Sequence, residues 1–169
     1  MSAVKPHARI PVGIVVERRK AASAWIDAVW RSITVLGGVP DAAPWTVIAA
    51  GEDVTTFYAG DATIELYRTE AEHYRSNLDS GEPSVWVALR PTGTKPPYTL
   101  FAVTVDPAEG ESFTQSGGDT VDAVPMPAAV RAIVEAFVAE HHVVERHYRR
   151  TRTDAREDQR EPLRKGRRG

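Results

Sequence analysis

Residues 98–110 read YTLFAVTVDPAEG. Tyr98–Val105 carries β-branched, aromatic and aliphatic side chains and no charge, the composition of a strand buried on both faces, which places it centrally in a sheet. Asp106-Pro107-Ala108-Glu109 then changes the grammar. An aspartate can accept hydrogen bonds from the free N–H groups of a first helical turn, and glutamate three residues on completes a capping box. Proline suits the first helical position, where its missing N–H costs nothing. The stretch therefore specifies strand, cap and helix in turn. A chain that makes this switch lays helices on a sheet.

The same order occurs upstream. Thr63–Arg68 reads as a strand, and Thr69-Glu70-Ala71-Glu72 has the capping-box spacing. Ala71, Tyr74 and Leu78 then share a helical face, and Gly81 closes the helix as Gly117-Gly118 closes the second. At an offset of 37 residues, Ala71 maps to Ala108, Glu72 to Glu109, Gly81 to Gly118, Ile64 to Phe101 and Leu66 to Val103. Two ββα units, Val54–Gly81 and Ser84–Gly118, are the reading. An internal duplication explains them, and so does the shared grammar of strand-to-helix connections.

Ile10–Glu17, Trp25–Leu36, Trp45–Ala49, Val54–Tyr58 and Ser84–Leu89 also read as strands. Ser84–Leu89 is apolar on both faces and is placed centrally too. Asp27 and Arg31 interrupt the second strand, which implies a bulge or an exposed edge. Arg18–Ala24 has the length of a connection, and Gly51 and Gly60-Asp61 mark turns. From Pro127, the residues Val130, Ile133, Val134, Phe137, Val138 and His141 form one apolar stripe at helical spacing, on a helix expected to reach Tyr148. The expected fold class is α+β: a mostly antiparallel sheet of about eight strands, able to close like a barrel, covered by two short helices and one long C-terminal helix. Residues 1–8 are expected to be a flexible N-terminus, 9–150 a single domain, and 151–169 a disordered charged tail.

Composition narrows the chemistry. The 169 residues, 42% apolar and 26% charged, suit one soluble domain. There is no cysteine, which removes disulfides, thiolate metal sites and cysteine nucleophiles. Uncharged stretches are no longer than ten residues (42–51 and 96–105), too short to span a membrane. The N-terminus lacks the shape of a signal peptide, so a cytoplasmic location without membrane contact is expected. The net charge of −2 divides into +5 over Arg149–Gly169 and −7 over the remaining 148 residues. Four acids interleave with the nine basic residues of that tail, which weakens any field for nucleic acid and makes a solvated end the better reading.

Residues 140–147 read EHHVVERH. His141 and Glu145 share a helical face, but His142 projects about 100° away and His147 is out of step with both, so fewer than three ligands converge. This is the polar end of a packing helix. Glu70-x-x-His73 is half of a carboxylate di-iron set and lacks the other half. No G-x-S-x-G, Walker loop or G-x-G-x-x-G is present. No cofactor, metal set or catalytic residue is expected, and the chain leans away from enzymes. Two constellations remain. Arg18, Arg19 and Lys20, with Arg31 across a hairpin, could hold an anion or an acidic partner. Of Trp25, Trp30, Trp45 and Trp86, the last reads as core, whereas Trp25 and Trp30 fall on opposite faces of a regular strand, so that one could serve an interface.

The segments IPVGIVVERRKAASAWIDAVWR, FYAGDATIELYRTEAEHYRSNL, PSVWVALRP, DPAEGESFTQSGGDTVDAVPMP and FVAEHH resemble a proteobacterial domain-of-unknown-function family over residues 10–148. Its members tend to be encoded beside formate dehydrogenase and molybdenum-cofactor genes. Some are labelled molybdopterin-guanine dinucleotide biosynthesis protein A. That label implies a glycine-rich loop, L-A-G-G-x-[SGA]-x-R-[MF]-G, but here Leu36-Gly37-Gly38 continues as Val39-Pro40-Asp41, without the arginine, third glycine and lysine that would seat a triphosphate. The resemblance implies a non-catalytic accessory protein in formate dehydrogenase maturation or assembly, acting on a protein partner such as an enzyme subunit or maturation factor. The alternative is a binder or enzyme for an anionic pterin or nucleotide, held by Arg18, Arg19, Lys20 and Arg31 with Trp25 or Trp30 stacked on the ring.

Overall fold

The structure is a computed structural model in which residues 5–115 and 117–141 are described. The elements are β1 (Ala8–Lys20), β2 (Ala28–Leu36), β3 (Thr46–Ala50), β4 (Val54–Leu66), α1 (Ala71–Leu78), β5 (Ser84–Pro91), β6 (Tyr98–Thr104), α2 (Pro107–Phe113) and β7 (Thr120–Pro125). A third helix, α3, follows at 128–141. Every strand pairing is antiparallel. One sheet has the order β2-β1-β4-β3 and the other β6-β5-β7.

Alternation along β1 builds the interior. Ile10, Val12, Ile14 and Val16 all point inward and are buried. They meet Ile64 and Leu66 of β4, Val85, Val87 and Leu89 of β5, and Val103 and Val124 of the second sheet in one core. From α3, Val130, Val134, Phe137 and Val138 join that core. Tyr74 of α1 is 1% exposed and meets Phe137 edge-on with ring centres 6.0 Å apart. Burial pushes the Tyr74 phenol up to about 12, and its oxygen accepts from the Tyr67 N–H at 2.8 Å. Asn77 ties α1 to the second sheet. Its Nδ2 donates to the carbonyls of Ser84 (2.8 Å) and Val105 (2.9 Å), and its Oδ1 accepts from the Ser84 N–H (2.9 Å).

The α+β class and the antiparallel pairing stand. Among the described residues the strand count is seven, because Val54–Tyr58 and Thr63–Arg68 are parts of one strand. Ile14 pairs with Gly60 and Val15 with Tyr58, so Ala59 is an extra residue. Gly60 has φ +138, a conformation that glycine alone adopts without penalty. The glycine marks a bulge within β4 rather than a turn. This also breaks the proposed repeat, since the first unit contains one strand and the second a hairpin. Ile64 is buried whereas its counterpart Phe101 is an exposed bulge residue. Tyr74 is a core anchor and Phe113 is only half-buried.

The sheets do not close into a barrel. β7 runs beside β2, and β6 beside β4, without a backbone ladder. A bulge at Ile33 intervenes in β2, and at this seam the Asp122 carboxylate accepts from the Ser32 N–H at 3.0 Å. A side chain thus takes the place of a ladder bond. Of the two strands expected to be central, β5 is central and β6 is an edge strand. The Asp106 cap forms as expected, accepting from the N–H groups of Ala108 (2.9 Å) and Glu109 (3.4 Å). The box at Thr69 does not form. A 3₁₀ turn, Arg68–Glu70, occupies that place, and α1 starts from Glu70 without a side-chain cap. Ile133 leaves the α3 stripe and is 45% exposed. The expected reach of α3 to Tyr148, the EHHVVERH residues beyond His141 and the tail lie outside the described residues.

Candidate functional site

The inward row of β1 does not stop at Val16. β1 continues through Lys20, so Arg18–Lys20 is strand and the connection is 21–27. The reason is pairing on both sides: Arg18 lies opposite Trp30 of β2 and Thr55 of β4. Arg18 and Lys20 therefore project from the same face as Ile14 and Val16, where the apolar interior gives way to an open end. Arg19 projects the other way. Its Nε lies 3.1 Å from Glu17 Oε1, and Arg31 Nε lies 3.5 Å from the same oxygen. Five of the six side chains singled out in the sequence thus separate by strand parity. Arg18, Lys20 and Trp30 line one groove. Arg19 and Arg31 pair with Glu17 on the far face. Trp25 stands 94% exposed on the connection, outside any strand.

Two adjoining depressions, of about 720 and 860 Å³, make up the groove and share Arg18, Trp30, Gly93 and Pro97. Trp30 is its centre. Its ring stacks on Phe57 at 5.6 Å and meets Trp45 at 6.1 Å and Tyr98 at 5.7 Å. The Arg18 guanidinium lies over this platform, 5.8 Å from the Trp30 ring and 5.9 Å from Phe57. The facing wall is the β5–β6 connection, with Pro96 and Pro97. Asp27, Glu52 and Asp53 also line the groove, beside Lys20, whose N–H donates to the Asp53 carbonyl at 2.8 Å. Trp45 enters β3 with φ +67. For a bulky side chain this left-handed conformation costs about 1–2 kcal/mol, and here it delivers the indole to the cluster.

Sequence reasoning missed Trp45, Phe57 and Tyr98 as partners of Trp30, because they come from three other elements. It also placed Trp86 in the core. Trp86 is half-buried and lies under α2, where a Cβ on Gly110 would come within 2.3 Å of its Cγ. The groove's charges had a signal available: period-two alternation from Ile10 already puts Arg18 and Lys20 on the core face.

A second cluster lies at the opposite end of β4. His73 Nδ1 is 3.0 Å from Glu70 Oε2 and 3.0 and 3.1 Å from the two oxygens of Asp106. The hydrogen bond to Asp106 raises the His73 pKa, with Asp106, Glu70 and Glu72 adding to it against burial. Glu109 beside them is also raised, by burial first and then by the charges of Asp106, Glu65 and Glu70. The Glu70-x-x-His73 pair thus acquires a third member from the cap of α2, a residue that the sequence marked only for helix capping.

A family profile described as "Protein of unknown function (DUF3305)" matches residues 11–152. The chain belongs to the DUF3305 family. No curated protein and no solved structure matches it. In this DUF3305 chain the match spans the groove residues and the His73 cluster alike. Among the described residues no helix is long and apolar enough to cross a membrane.

Proposed function

We propose that this DUF3305 protein is a non-catalytic accessory factor whose groove docks an extended segment of a partner protein. The observation that carries the reading is the Arg18-capped platform of Trp30, Trp45, Phe57 and Tyr98, open along one end of the sheets. Interface energy concentrates on tryptophan, tyrosine and arginine in such settings. Trp25 and Ile26, on the connection beside it, and Val47 and Ile48, on the edge strand β3, are exposed apolar side chains that would extend the contact.

The groove's charge pattern describes the occupant. Arg18 and Lys20 share the groove with Asp27, Glu52 and Asp53, so the segment carries both an acidic and a basic residue beside a ring or proline that sits on Trp30. The groove's three carboxylates, Asp27, Glu52 and Asp53, offset its three cations, Arg18, Lys20 and Lys95, and leave no net positive charge for a di- or triphosphate, which weighs against a nucleotide or pterin phosphate. The resemblance supplies the partner class, a formate dehydrogenase subunit or maturation factor. Tagged protein is expected to co-purify with formate dehydrogenase subunits. Arg18→Glu, at a solvent-facing position, is expected to weaken that capture about tenfold or more. A deletion strain with unchanged formate dehydrogenase activity and cofactor content would sink the assignment. Calorimetric binding of a cofactor precursor, lost in Arg18→Glu, would transfer the groove to the small-ligand reading.

A further inference from the structure

The cluster at the other end of the molecule has more ligand chemistry than an ion pair uses. Glu70 and His73 are three residues apart at the start of α1, so they share a helical face. Asp106 reaches them from the cap of α2. One ring nitrogen of His73 is met by three oxygens from two carboxylates at 3.0, 3.0 and 3.1 Å. A single Nδ1–H can be directed well at only one of them. The nitrogen–oxygen spacing is also what a shared cation produces, since ligand atoms about 2.0–2.2 Å from a divalent ion stand roughly 3–3.4 Å from each other, and all three ligand atoms lie within 4.8 Å of one another.

The surroundings favour a cation. Glu109, Glu65 and Glu72 add negative charge around the trio. Asp106 is nearly buried and is held in place by the N–H groups of Ala108 and Glu109, the kind of outer support that orients a metal ligand. Glu70 and His73 are partly exposed, which leaves coordination positions open to solvent or to a partner's side chain. An imidazole with two carboxylates is a borderline nitrogen–oxygen set, suited to Zn²⁺, Mn²⁺, Fe²⁺ or Co²⁺ rather than to calcium.

We infer that Glu70, His73 and Asp106 form a three-ligand site for a divalent first-row transition metal, independent of the groove.

The test is calorimetric titration of the full chain with Zn²⁺ and Mn²⁺, with Co²⁺ absorption as a second readout. One equivalent bound at micromolar affinity or better is expected. Glu70→Gln, His73→Gln and Asp106→Asn should each weaken it at least tenfold. Asp106→Asn keeps a capping oxygen. Glu70 and His73 are at the surface, so their variants report even where the Asp106 variant is unstable. His142→Gln/His147→Gln should bind as the parent does. No binding at 1 mM metal, or binding that survives Glu70→Gln and His73→Gln, overturns the site and leaves a charged hydrogen-bonded trio in its place. Loss of binding in the His142/His147 variant alone also overturns it.

Discussion

Asn77→Ala removes one side chain and orphans three backbone groups. Asn77 is 2% exposed and bonds the Ser84 N–H, the Ser84 carbonyl and the Val105 carbonyl at 2.8–2.9 Å. These groups lie where β5 begins and β6 ends, so no ladder bond is available to replace the amide. A net value of about 1 kcal/mol per hydrogen bond, with 1–3 kcal/mol for each buried group left unpaired, gives roughly 3–9 kcal/mol. Water entering the amide-sized gap beside the half-buried Ser84 favours the low end, about 3 kcal/mol. Against a total of about 5–15 kcal/mol this is a large share. Urea unfolding followed by circular dichroism is the assay. With an m-value of about 1.5–2 kcal/mol/M, the midpoint should fall by roughly 1.5–2 M. Asn77→Asp should be at least as damaging at pH 7, because a carboxylate oxygen then faces two carbonyls. It should recover in acid, where the protonated group can donate again. A loss below about 1 kcal/mol for Asn77→Ala, with an unchanged m-value, would mean that the amide does not join α1 to the sheet and that the packing of α1 is wrongly argued.

Phe137→Ala should cost about 3–5 kcal/mol through the cavity left beside Tyr74, whereas Ile133→Ala, on the exposed side of α3, should stay within about 0.5 kcal/mol; equal losses in urea melts would refute the helix orientation. Gly110→Ala should destabilise despite a helix-propensity gain of about 1 kcal/mol, because the new methyl meets the root of the Trp86 ring; overpacking of this kind costs about 1–3 kcal/mol, and a higher Tm would show that α2 does not press on that ring. Asp122 has a carboxyl pKa raised by burial, against the Ser32 N–H and Arg31. A raised acid binds more protons folded than unfolded, so it subtracts stability above its folded pKa, and this subtraction fades as pH falls toward the unfolded value of 3.8. Asp122→Asn, which can still accept from Ser32, should therefore gain on the parent as pH rises from about 4 to 7; a difference that is flat with pH would refute this.

The sequence by itself determined the α+β class, most strands, the Asp106 cap and the face of α3 that carries Val130, Val134, Phe137 and Val138. These follow from local rules: periodicity, β-branched runs and cap chemistry act over a few residues and need no knowledge of what lies opposite. Where a local rule had a tertiary competitor, it failed. Gly60 looked like a turn, but pairing with β1 on one side carried the strand through it as a bulge. Thr69 had a capping sequence, yet the 3₁₀ turn supplied the first turn of α1. Arg18–Lys20 looked like a connection until β2 and β4 were seen to pair along its length, and only then did alternation separate Arg18 and Lys20 from Arg19. Both candidate sites depend on such long-range choices. Trp30 meets Trp45, Phe57 and Tyr98, and His73 meets Asp106, across separations that no spacing rule reaches, because tertiary packing alone decides which strand end and which helix cap share a surface.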